Sequence, residues 1–314
     1  MINRELIRLK LVQVLYSHLQ KGSHNPDASE KELLLSLDKA YDLYNYMLLL
    51  MVEVGRMSVR MFEVYQNRSK KLNDGIQWSR KFVDNRFILQ LESNKQLRAY
   101  CDEQALSWAD HEDFVRNLYY KVEESDFYKE YMASETSTYE EDREVWRLIY
   151  RRLIVDNEEL SDLLEDINVY WNDDKTIVDT FVLKTINRFT SESNSAFPLM
   201  PEYKSDTDRD FATKLLRRAI TGHEYFSSLI GSNTRGWDPN RIALMDRIIL
   251  QLGLAEITTF PNIPISVSIN EYVEIAKMYS TPKSGKYVNA TLDTIAKQLM
   301  EEGKLVKSEQ NSNK

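Results

Sequence analysis

Residues able to do chemistry are scattered through this chain rather than gathered. The four histidines, His18, His24, His111 and His223, are far apart and form no His-x-x-x-His pair of the kind a helix offers a metal. The acidic pairs Glu140-Glu141 and Glu158-Glu159 lie in helical patterns, where neighbouring side chains point about 100° apart and solvate a face. No HExxH, paired CxxC, post-strand GxGxxG or GxxxxGK[ST] occurs. These residues imply no catalytic group, no metal and no cofactor, so the expected protein is not an enzyme. What remains is cationic chemistry. Arg4 and Arg8 stand one turn apart, Lys10 comes two residues later, and a short basic loop runs Thr281-Pro282-Lys283-Ser284-Gly285-Lys286. Such donors suit phosphate oxygens.

The elements that must position those groups read as helices. Of 314 residues, 42% are hydrophobic and 29% charged, with only 9 Gly and 7 Pro to punctuate long periodic runs. Strand-like alternation is scarce, so the fold class is all-α. A first helix from about Asn3 to Gln20 turns Leu11, Val14, Leu15 and Leu19 to a core and leaves Lys10, Gln13 and Ser17 on the wet side. Arg4 and Arg8 share a face that continues into Leu11 and Leu15, so the helix start is expected to project past the end of the core. Far downstream, Asp208 to Ile230 buries Phe211, Leu215, Leu216, Ile220 and Phe226, with Lys214, Arg217 and Arg218 outward. Asp238-Pro239 reads as an N-cap with Pro at the first helical position. The helix from Pro239 to Thr258 is apolar around most of its circumference, which makes it the central one. After Pro261 and Pro264, Ser268-x-x-Glu271 reads as a capping box for a helix carrying Ile269, Val273 and Ala276. Beyond the basic loop, a last helix lines up Val288, Leu292, Ile295 and Leu299.

Several of these runs combine into one pattern: Val12-Gln13-Val14-Leu15-Tyr16-Ser17, Asp246-Arg247 with Glu256 downstream, Ser268-Ile269-Asn270-Glu271-Tyr272-Val273-Glu274-Ile275-Ala276-Lys277, and Lys286-Tyr287-Val288-Asn289-Ala290-Thr291-Leu292-Asp293. The pattern resembles the transcription antitermination factor NusB family over about residues 3–20 and 208–300. Gln251 and Gly253 depart from it. The resemblance implies a NusB-like helical bundle that binds single-stranded box A-type rRNA leader RNA together with a small-subunit ribosomal protein. It further implies action within the RNA polymerase complex to promote rRNA transcription. Arg4 and Arg8 fall on arginine positions of the family's first helix, whereas Glu5 and Leu6 occupy others. The RNA contacts it implies are Arg4, Arg8 and Lys10, with Lys283, Ser284 and Lys286 from the loop. Two other readings stay open: a protein-interaction module without RNA affinity, and the NusB-like part of an rRNA methyltransferase. The second would need a cofactor domain after the bundle, whereas Lys304 to Lys314 is a short polar tail.

Residues 1–25 and 206–305 are thus expected to form a discontinuous NusB-like domain, 26–205 an inserted acidic helical region, and 306–314 a polar tail. The overall charge of −8 divides into about +4 outside the insertion and about −12 within it. Inside the insertion, Glu30 to about Gln66 reads as one long or two consecutive helices, with Tyr41, Tyr44, Met47 and Leu48 as core. From Asn67 to Phe87, Arg68, Lys70, Lys71, Trp78, Arg80, Lys81, Phe82, Arg86 and Phe87 interleave cations with aromatics. Such a stretch can stack on unpaired bases, but the favoured reading buries the aromatics and solvates the cations around a turn at Asp74-Gly75. The insertion is accordingly expected to contact protein rather than RNA. Arg143, Arg147 and Arg151 recur on one face beside Trp146, Ile149, Leu153 and Ile154, and Ser191 to Asp206 reads as a linker. The single Cys101 and the short apolar run Met47 to Val52 point to a soluble cytoplasmic protein with no membrane partner.

Overall fold

The structure, a computed structural model, describes residues 1–22, 25–171, 173–233, 242–281 and 283–307. The described residues form helices and turns with no strand, as the periodicity predicts; one isolated parallel bridge joins Ile2 and Tyr203. They divide into two compact units. One comprises Ile2–Leu37 with Tyr203–Lys314, the other Met1 with Asp38–Glu202.

The first unit contains α1 (Arg4–Gln20), the opening turns of α2 (Pro26–Leu72), α10 (Asp206–Thr221), α11 (His223–Asn233), α12 (Leu244–Thr259), α13 (Ile265–Tyr279) and α14 (Ser284–Glu301). The α12 helix packs against α1, α10, α11, α13 and α14. Every residue from Ile248 to Ile257 is buried, the polar Gln251 and Glu256 included. Its mostly apolar circumference therefore does place it at the centre. The proposed Asp238-Pro239 cap lies outside the described residues. Gly253 sits where a Cβ would stand 2.9 Å from Leu292 Cδ1, so the absence of a side chain sets how closely α12 and α14 approach. Gln251 Nε2 donates to the Ala219 carbonyl at 2.8 Å, tying α12 to α10. On α14, Val288, Leu292, Ile295 and Leu299 are all buried, and the predicted stripe is core.

The second unit holds the rest of α2 with α3 (Arg86–Ser93), α4 (Lys95–Glu103), α5 (Glu112–Glu124), α6 (Asp126–Met132), α7 (Tyr139–Ile149), α8 (Glu158–Ile167) and α9 (Lys175–Arg188). The stretch read as one or two helices is a single helix of 47 residues. Tyr41, Tyr44, Met47 and Leu48 are buried, with the Tyr44 hydroxyl 2.7 Å from Thr185 Oγ1. Trp146 and Phe87 are completely buried, and α7 passes into a π-helical turn over Tyr150–Ile154. Ser191 to Glu202 is not slack: Lys95 N–H donates to the Ser195 carbonyl and Asn94 Nδ2 to that of Phe197, each at 2.8 Å. Cys101 is buried, which pushes its thiol up to about 12. Among the described residues, no helix is long and apolar enough to cross a membrane.

Candidate nucleic-acid interface

The first helix is capped by Asn3, whose Oδ1 accepts the Leu6 N–H at 2.9 Å. From Leu6 to Val12 every side chain is buried, so α1 is sunk into its unit rather than laid on it. That corrects two expectations. Lys10, assigned to the wet side, is fully buried, because its neighbours along the helix, Leu6, Ile7 and Val14, all face the interior. Arg8, expected beyond the end of the core, is 3% exposed. Arg4 alone of the three keeps an exposed side chain, at 44%, while its Nε stands 3.5 Å from Asp208.

Arg8 is held by a carboxylate knot. Its Nε and Nη2 donate to the two oxygens of Glu256, each at 2.8 Å, and Nη1 donates to Glu271 at 3.0 Å. Glu256 is fully buried and also accepts the Ser268 hydroxyl at 2.7 Å and the Tyr272 hydroxyl at 3.0 Å. Burial alone would lower the Arg8 pKa; the hydrogen bonds and charge of Glu256 outweigh it and hold the guanidinium above its ordinary value. Burial, with Glu256 alongside, raises the Tyr272 hydroxyl well above its ordinary value. The Phe211 ring lies 4.9 Å from Arg4 and 5.5 Å from Arg8, so one aromatic ring serves both cations.

The same knot removes the capping box. The α13 helix starts at Ile265, directly after Pro264, so Ser268 and Glu271 fall inside it and bind Glu256 and Arg8 instead. Sequence reasoning noted Glu256 only as a pattern position and missed what it does. Two signals existed: an arginine in line with Leu11 and Leu15, and a glutamate on a helix apolar around most of its circumference.

In the loop, Ser284 is buried and structural. Its hydroxyl donates to Asp246 at 3.0 Å and stands 2.9 Å from Thr281 Oγ1, fixing the start of α14. Lys283 and Lys286 are exposed on either side of it; Pro282 lies outside the described residues. Two long side-chain contacts link α13 to α1, Glu271 at Arg8 and Gln13 Nε2 donating to the Tyr279 hydroxyl at 3.0 Å. The loop therefore begins near the level of Gln13, about 13 Å of helical rise from Arg4. Arg4 marks one end of α1, and the lysines lie toward the other.

Among the described residues, no group of three or more His, Cys, Asp or Glu side chains is placed to hold a metal ion. A profile of the NusB family matches residues 182–297, which excludes α1 and begins within α9. Similar curated proteins include the transcription antitermination protein NusB of Salinibacter ruber, 37% identical over 109 residues, 35% of this chain and 68% of that protein. The protein of the same name from Chloroherpeton thalassium is 36% identical over 100 residues, 32% of this chain and 47% of its own length. A solved structure of T. maritima NusB is 26% identical, covering 50% of this chain and 95% of that one, with a TM-score of 0.30. Residues 38–181 of the acidic unit lie outside the profile match. On the Salinibacter relative's identity and coverage, the chain belongs to the NusB family.

Proposed function

We propose that the protein is a non-catalytic antitermination factor that binds single-stranded, box A-like leader RNA together with a small-subunit ribosomal protein, inside the cytoplasmic transcription complex. The observation that carries this reading is the division of labour on α1. Arg8 is fixed by Glu256 and Glu271, while Arg4, one turn away and stacked on the same Phe211 ring, presents its charge outward. Preorganised cations bind phosphate at lower entropic cost than free ones.

In this reading Arg4 contacts phosphate, and Arg8 and Lys10 act from within the unit by holding the helix. At the loop, Lys283 and Lys286 flank the first turn of an 18-residue helix, whose positive end favours an anion. Ser284 fixes that turn. The two cationic points, separated along α1, suit an extended strand rather than a single phosphate group.

The test is binding of an rRNA-leader oligonucleotide by the Arg4→Ala/Lys283→Ala/Lys286→Ala variant, with and without the ribosomal partner. Affinity is expected to fall and its dependence on salt to flatten, since fewer counterions are released. Unchanged affinity and slope in the folded variant would defeat the proposal.

A further inference from the structure

The acidic unit carries one surface that its overall charge would not lead one to expect. Of the aromatics between Asn67 and Phe87, Phe82 and Phe87 are buried, Phe82 stacking on Trp146 at 5.2 Å. Trp78 is 41% exposed. It is also held rigidly: its ring stacks on Tyr65 at 4.8 Å, and its Nε1 donates to Ser69 Oγ at 2.9 Å. Tyr65 is fixed in turn by donating its hydroxyl to Glu123 at 2.8 Å. One face of the indole is thus occupied, its edge donor is satisfied, and the rest of the ring is open to solvent.

Cations lie close to the ring's supports along the chain. Tyr65 and Ser69 lie one turn apart on α2, and Arg68 belongs to the adjacent row of that helix. The Arg80 guanidinium lies 5.2 Å over the ring of Phe62, which precedes Tyr65 by three residues on α2. Arg68 and Lys71 are exposed and form no ion pair among the described residues. Arg80 is paired with Asp84 at 2.8 Å, but both side chains are more than half exposed, and a surface pair of that kind exchanges readily for phosphate. The negative end of α2 accounts for a cation in its last turn, where Lys70 and Lys71 stand; it does not account for Arg68 beside a clamped indole.

We propose that Trp78, backed by Tyr65 and accompanied by Arg68, Lys71 and Arg80, is a second, sequence-tolerant contact for single-stranded RNA. An open aromatic face near cations takes one unpaired base by stacking and its neighbouring phosphates by charge. The unit's net negative charge does not forbid this, because at physiological salt exposed charges beyond roughly 8 Å are largely screened. The occupant is RNA rather than an acidic peptide, because carboxylates would use the cations but leave the indole face unfilled. The inference rests on the reading of the chain as an RNA-binding protein and extends it to the unit outside the family pattern.

The test uses the full chain with two probes: a leader oligonucleotide and a labelled oligouridylate of about twelve nucleotides. Trp78→Ala is expected to weaken oligouridylate binding by roughly 5- to 100-fold, whereas Trp78→Phe, which keeps a stacking ring, stays within about threefold. Arg68→Gln/Lys71→Gln, wholly on the surface, is expected to weaken binding and flatten the salt slope with only a small loss of melting temperature. With 4-thiouridine RNA and the unmodified protein, crosslinks are expected at Trp78 or Tyr65. Unchanged affinity in both patch variants, crosslinks elsewhere, or patch-dependent binding of polyglutamate but not RNA overturns the proposal. If Trp78→Ala loses the leader while the Arg4/Lys283/Lys286 variant retains it, the patch stands and the α1 face falls. The converse removes the patch alone.

Discussion

Each unit is tied by a carboxylate that accepts from one arginine, one serine and one tyrosine, and the two ties differ in how much water reaches them. In the family-like unit the acceptor is Glu256, bound by Arg8, Ser268 and Tyr272. In the acidic unit it is Asp142, which accepts from Arg86 Nε at 2.7 Å, Tyr131 at 2.7 Å and the Ser137 hydroxyl. Both carboxylates are buried, but the Arg8 side chain is 4% exposed and the Arg86 side chain 50%. The Glu256 tie joins residues 248 apart in sequence and the Asp142 tie residues 56 apart. The same donor set therefore does different work. A dry bidentate pair fixes a helix that presents a cation, whereas a half-wet pair joins the start of α3 to α7.

The sharpest way to break this comparison is to remove one partner of the dry pair. Arg8→Ala leaves the buried Glu256 without its guanidinium and is expected to cost about 3–5 kcal/mol in denaturant unfolding. Arg8→Lys is expected to recover only part of this, since an ammonium cannot make the two parallel bonds. A loss under about 1 kcal/mol for Arg8→Ala would mean that the pair is no drier in solution than that of Arg86. An apolar control in the same unit is Leu292→Ala. Leu292 is fully buried against the Gly253 backbone, so the expected loss is roughly 2–5 kcal/mol. A loss below about 0.5 kcal/mol would remove α14 from the core.

The third expectation separates position from presentation. Arg4→Ala removes an exposed side chain that touches Asp208 and Phe211, so stability should change by less than about 1 kcal/mol. Its effect on leader RNA binding is expected to be larger, on the order of 1–3 kcal/mol with a reduced salt slope. Equal effects on folding and binding would make Arg4 another structural arginine.

Legibility in the sequence depended on which interactions are local. The all-α class and the rows on α12 and α14 were readable because period and burial are repeated every turn. Arg8 and Glu256 were visible as residues but not as a pair, because nothing local links positions 248 residues apart. Ser268 and Glu271 have the spacing of a capping box, and what overrode it was a helix start three residues earlier together with a buried carboxylate needing a donor. Lys10 was assigned to water because it shares a face with Gln13 and Ser17, although Leu6, Ile7 and Val14 are also its helical neighbours. In the Arg68–Phe87 stretch, composition could not tell Phe82, which finds Trp146, from Trp78, which meets Tyr65 and Ser69 and stays part exposed. The boundary between the units was equally illegible, since it falls at Leu37–Asp38 inside an uninterrupted helix.

The smallest expected effect lies at the wetter tie and is read by pH. Burial would raise the Asp142 carboxyl, but hydrogen bonds from Ser137, Tyr131 and Arg86 outweigh it and hold the pKa below its ordinary value. A carboxyl depressed in the folded state binds its proton more readily when unfolded, so it stabilises the fold above the unfolded pKa of about 4. That contribution is lost as pH falls from there through the lower folded value. Because the Arg86 guanidinium is half in water, its own share is expected to be under about 1 kcal/mol. Arg86→Ala should accordingly leave stability at pH 7 nearly unchanged, since Ser137, Tyr131 and the residue 86 backbone N–H still serve Asp142. Asp142→Asn should cost more at pH 7 than at pH 3, because the amide cannot lose what the protonated acid has already lost. Urea melts of both variants across that range decide the matter. If Arg86→Ala costs as much at pH 7 as Arg8→Ala does, exposure of the arginine is not what distinguishes the two ties.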